Sequence, residues 1–308
     1  MRAAAAARRA GRARAAFLWA CGLDVQARKP GNVSLAAPGH GMEAAQFLAS
    51  AATAADPITA AGRPVGERIE AAVRASWQAA GCNTNLGIVL LCAPLLAAWE
   101  QCNTGGAGPA LRSALAQVLQ SLTVDDARAA YRAIALAHPG GLGRAPQQDV
   151  AAEPTVDLRA AMALAADRDR IAWQYTHGFA DVFDLGLPAF LATRTAALAA
   201  GQDAPAAAAR AMQATFLEFV AGLPDSHIVR KHGTATAQCV IGEAVQWRTR
   251  ARRGEAFAAD PAFARWDEDL KARQLNPGTS ADLCVAVALL AALRDASADS
   301  GEDGAHAQ

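Results

Sequence analysis

No stretch of this sequence sustains the period-two alternation of a half-buried strand, whereas apolar residues at helical spacing recur from one end to the other. Alanine saturates the chain and gives up no side-chain entropy in a helix, while the β-branched residues that favour strands are sparse. The expected fold class is therefore all-α, in one large multi-helix domain. Expected helices include Arg12–Arg28, Leu86–Gln101, Leu158–Asp184 and Ser280–Ala296, with the stretch Leu223–Gly233 read as a loop. A chain of 308 residues can bury one large core or two small ones. The glycine- and proline-rich segment Pro139–Pro154 is expected as a surface loop rather than a domain linker.

Charge excludes little except bulk electrostatics. Lys+Arg and Asp+Glu both number 29, so no global field points to nucleic acid or a membrane surface. The apolar run Leu86 to Trp99 contains Pro94 and is too short to span a bilayer, which makes it a buried helix. The six cysteines are scattered without a C-x-x-C pair and are expected as reduced thiols in a cytoplasmic protein. We divide the chain into an Arg/Ala-rich extension (1–16), a helical domain (17–295) and a polar tail expected to be disordered (296–308). Trp173 and Tyr175 are read as packing residues in preference to adenine-stacking ones.

Four polar segments interrupt the apolar background. Lys29-Pro30-Gly31-Asn32-Val33-Ser34 precedes Pro38-Gly39-His40-Gly41-Met42; its glycines permit close backbone approach, and Lys29 is a candidate phosphate charge. Gly81-Cys82-Asn83-Thr84-Asn85-Leu86-Gly87 opens the apolar run. Its Asn and Thr residues suit helix capping, and a buried helix start also suits an anion. Asp225-Ser226-His227-Ile228-Val229-Arg230-Lys231-His232-Gly233 gathers two histidines, two cations and a carboxylate, fitting phosphate binding with Asp225 left for proton transfer. Asn276-Pro277-Gly278-Thr279-Ser280-Ala281-Asp282-Leu283 opens another apolar helix, where the dipole alone would favour Asp282.

Together and in this order the segments resemble the triphosphoribosyl-dephospho-CoA synthases. That family carries K-P-G-x-V, a G-x-H…M stretch, N-T-H-x-G, D-T-N…R-x-G and S-P-G-G-S-A-D-L. The likeness covers about residues 17 to 295. This chain departs from it at Asn85 (family histidine), His227 (family asparagine), Gly41 (family acid) and the segment Tyr175–Asp181 (family G-A-R-G-E-A).

The resemblance implies an all-helical enzyme that moves the triphosphoribosyl group of ATP to the ribose 2′-hydroxyl of 3′-dephospho-CoA, releasing adenine. It implies ATP and phosphate contacts from Lys29, Gly31, Asn32, His40, Asn83, Thr84, Asn85, His227, Arg230, Lys231, Gly278, Thr279 and Ser280. Mg2+ would be held by Asp282 or Asp225, and the base drawn from Asp225, Asp282 and Asp181. Partners are then ATP and dephospho-CoA or a similar alcohol, without nucleic acid or membrane, and a homodimer stays open. The alternatives are a related ribosyl transferase with another acceptor and a non-catalytic nucleotide-binding protein.

Overall fold

The structure, a computed structural model, describes residues 2–102 and 109–302. The described residues form fourteen α-helices and one π-helical turn, with two isolated β-bridges, Ser34 to Ala37 and Gly39 to Met42, in the loop after the first helix. The fold is all-α. The first three helices are α1 (Arg2–Gln26), α2 (Ala44–Ile58) and α3 (Val65–Ala80). Next come α4 (Leu86–Gln101), α5 (Pro109–Gln120) and α6 (Val124–Ala137). Then follow α7 (Leu158–Ala163), α8 (Arg170–Thr176), the π-turn (Asp181–Gly186), α9 (Leu187–Ala199) and α10 (Ala204–Val220). The chain ends with α11 (Ser226–His232), α12 (Thr234–Arg252), α13 (Pro261–Ala272) and α14 (Gly278–Glu302).

Two helices form the centre because they are apolar on every side. In α4 every residue from Ile88 to Trp99 is buried, and in α14 every residue from Leu283 to Ala291. Each large aliphatic side chain so removed from water contributes roughly 1.5–3 kcal/mol. The two helices pack on each other, and α1, α8, α9, α10 and α11 pack around α14.

Four local readings change. The first helix starts at Arg2 rather than Arg12: the Arg9 guanidinium donates to the carbonyls of Trp99 and Glu100, satisfying the exposed end of α4 and holding the Arg/Ala-rich segment in place. The expected helix Leu158–Asp184 is three pieces. Asp169 caps the start of α8, while Gly178 and Phe179, both at φ 59°, take the left-handed conformation that ends it. The expected loop Leu223–Gly233 contains α11, which Asp225 caps. The last helix runs from Gly278 to Glu302; the remainder of the polar tail, 303–308, lies outside the described residues. The glycine-rich loop after α6 lies against α11, where Cβ atoms at Gly140 and Gly141 would meet Lys231 and the Arg230 backbone.

Candidate active site

Motifs far apart in the chain meet at the first turn of α14. Gly31 (φ 82°) sits where a Cβ would fall 2.6 Å from Leu275 O and 2.8 Å from Pro277 Cδ, so only glycine lets the Lys29–Ser34 loop close on the turn before α14. Asn32 Nδ2 donates to Asn276 Oδ1 at 3.0 Å across that contact. The Gly31 N–H donates to Asp267 Oδ1 (2.9 Å), and the His40 ring nitrogen Nε2 lies 2.7 Å from Gly31 O. Lys29 is already paired. Its side chain is fully buried against Asp24, at 3.0 Å.

The start of α14 is tied to α11 by a single carboxylate. Asp225 Oδ1 accepts from the backbone N–H of His227 and Ile228; Oδ2 accepts from the N–H and hydroxyl of Ser280 at 2.7 and 2.8 Å. Four accepted bonds occupy its lone pairs, so neither a metal nor a substrate proton finds a free site there. The same contact seats His227 over Gly278, where a Cβ would fall 2.5 Å from Nδ1. Thr279 is buried beside Ser280.

The start of α4 reaches the same place from the other side. Asn83 Oδ1 accepts from the Leu86 N–H. Thr84 donates to Ser50 (2.6 Å) and Asn85 to Ser76 (2.9 Å), so both side chains turn towards α2 and α3 and join those helices to α4. What faces inward is Gly87, where an added methyl group would collide with the Asp282 carboxylate. The start of α8 completes the ring. Asp169 caps it with Oδ1 and accepts from Arg230 through Oδ2 (2.6 Å), and the Arg170 N–H donates to the Ser226 hydroxyl (2.8 Å). Asp181 is committed: Arg170 grips it with bonds of 2.6 and 2.8 Å, and Gln174 adds another at 2.6 Å. Trp173 lies between the Arg170 guanidinium (3.7 Å) and the His177 ring (3.9 Å), which leaves no open face for a base.

Asp282 differs from every other carboxylate in this group, since its side chain has no hydrogen-bond partner among the described residues. Burial pushes its carboxyl well above the usual range; Asp24, Asp225 and Asp169 push the same way, and Arg230 opposes them. Beside it lies a basic group made of Arg230, Lys231, His227, His40 and His232. Burial first, and then the facing cations, bring His227 down to about 3, and burial also lowers His40. Both rings are therefore neutral near pH 7. Sequence reasoning missed Asp24, Asp169 and Asp267. For Asp169 a signal existed, since an acid directly precedes the apolar start Arg170-Ile171-Ala172.

A cavity of about 710 Å³ opens elsewhere, at the far end of α4, lined among others by Arg68, Glu100 and Asp126. Its polar groups satisfy one another: Glu100 accepts from the Gly62 N–H and from Arg68, and Asp126 accepts from the Gly66 N–H. Arg68, Glu100 and Asp126 are thus committed to one another and to the backbone, whereas Asp282 has no hydrogen-bond partner among the described residues.

Fold and site together define an all-helical protein in which four helix starts converge on one free carboxylate. Residues 10–301 match the family described as ATP:dephospho-CoA triphosphoribosyl transferase, and the chain belongs to that family. It is a transferase of the triphosphoribosyl-dephospho-CoA synthase type. A crystal structure from Archaeoglobus fulgidus, provisionally described as a triphosphoribosyl-dephospho-CoA synthase, has the same fold, with a TM-score of 0.61 and 22% identity over 80% of this chain and 97% of that one. No curated protein matches the chain.

Proposed function

We propose that the protein transfers the triphosphoribosyl group of ATP to the 2′-hydroxyl of 3′-dephospho-CoA and releases adenine. The hydroxyl oxygen bonds to the anomeric carbon as the bond to adenine N9 breaks. The hydroxyl loses a proton and the departing adenine gains one, so the exchange balances. Asp282 carries this reading: it is the motif carboxylate with free oxygens, and burial tunes it upward, which suits a base working nearer neutral pH. The group at Arg230, Lys231, His227 and His40 binds the triphosphate, beside the start of α14 that Asp225 ties to α11. Asp225 and Asp181 hold the frame, and Lys29 balances Asp24.

Mg2+ fits this donor set in one way. Among the described residues no three His, Cys, Asp or Glu side chains form a cation site. A magnesium ion would therefore be held chiefly by phosphate oxygens and water, where it would offset phosphate charge. Incubation with ATP, Mg2+ and dephospho-CoA, followed by chromatography for adenine and mass analysis of the product, tests the function. Adenine and a triphosphoribosylated dephospho-CoA are expected; wild-type protein that yields neither overturns it. Asp282→Asn should lower turnover by about 100- to 10,000-fold, and full activity in that variant would remove Asp282 from the chemistry.

A further inference from the structure

A helix that carries none of the family segments holds the first of them at both ends. On α13, Asp267 and Lys271 stand one turn apart and bond to each other at 3.0 Å. Asp267 accepts the Gly31 N–H through its other oxygen, with Arg28 Nε at 3.9 Å. Lys271 Nζ donates to Ala37 O at 3.1 Å, and its stem lies under Gly39, where a Cβ would fall 3.2 Å from Lys271 Cε. Between these anchors the loop closes on itself through His40 and Gly31 O.

Asp267 is 1% exposed. Burying such a pair costs desolvation that its attraction barely offsets, and apolar side chains of similar volume would often hold the loop as stably. What a charged pair adds is direction. Its donors and acceptors accept only one placement of residues 31 to 39.

We propose that Asp267 and Lys271 are positioning residues of the triphosphate side of the site. They set the loop that carries His40 against the turn before α14. This rests on the reading of the basic group as a polyphosphate site. The pair acts through the loop and touches no substrate.

The test uses Lys271→Met, which keeps the stem under Gly39 and removes both bonds of the ammonium, and Lys271→Arg, which keeps the charge. Hydrogen exchange of the amides from 31 to 42 is measured in the free protein, affinity for inorganic tripolyphosphate by calorimetry, and KM for ATP separately from kcat. Lys271→Met is expected to speed loop exchange and to weaken tripolyphosphate binding and raise KM roughly tenfold, because a misplacement of about 1 Å can cost on the order of 100-fold. Its kcat should stay within about twofold of wild type, since no group at the reacting centre is removed. Lys271→Arg should recover most of the affinity. A merely structural role would lower the active fraction, and so kcat, with KM unchanged. Unchanged exchange and affinity in Lys271→Met overturns the positioning role alone. Wild-type protein that binds no tripolyphosphate overturns the reading of the site, and this role with it.

Discussion

The two ends of α4 differ in a way that volume does not capture. At its C-terminal end a roomy cavity is lined by charged groups that have all found partners, Arg68 with Glu100 and Asp126 with the Gly66 N–H. At its N-terminal end Gly87 stands against a carboxylate that has none. A satisfied polar wall is a structural joint. An unpaired carboxylate keeps its acceptor sites open to a ligand.

Four substitutions can break or sharpen this contrast. Gly87→Ala should have the largest effect: the added methyl displaces Asp282, and turnover should fall on the order of 100-fold while the melting temperature moves little. Adenine release and thermal unfolding measured on the same preparation decide it, and normal turnover would show that Asp282 need not sit there. Asp225→Ala should cost stability first, about 2 kcal/mol at the upper end for a lost helix cap, read from the urea midpoint. Turnover loss with unchanged stability would return Asp225 to the chemistry.

Glu100→Gln addresses the other end of α4. It should weaken the bond to Arg68 and cost about 1 kcal/mol, with turnover per folded molecule unchanged; a selective loss of turnover would give the cavity a function. The last prediction concerns pH dependence, and its effect is confined to acid pH. His227 is brought from 6.5 to about 3 in the folded chain, so its contribution to stability is complete above pH 6.5 and is lost as pH falls towards 3. His227→Asn should flatten the stability slope between those values. Asp282 works in the opposite sense: raised in the fold, it favours folding at acid pH and loses that contribution as pH climbs past the ordinary carboxylate range.

The helical class and the order of the polar segments were legible because they depend on neighbours in sequence. Alanine content, the apolar faces of α4 and α14 and the acids that open helices are all local signals. The roles inside the site were not legible, because partners lie far away along the chain. Asp225 looks like a free acid until Ser280, 55 residues on, is seen to donate to it twice. Lys29 looks like a phosphate ligand until it is seen turned inward to Asp24. Asp181 and Trp173 likewise lose their freedom to Arg170, which spacing alone marks as an ordinary helix residue. The short helix after Asp225 was hidden by its length, since seven residues give periodicity too little room.

The contact between Asn32 and Asn276 spans 244 residues. At roughly 5–20 residues per second a ribosome needs about 10 to 50 s to supply the second half of that pair. Through the larger part of that interval, from the completion of α4 onward, this helix, apolar on every side, waits for α14. The chain emerges with one all-round apolar helix made early and one of the helices that bury it made last. Its yield in a cell should therefore depend on what shelters α4 during synthesis more than on the stability of the finished fold.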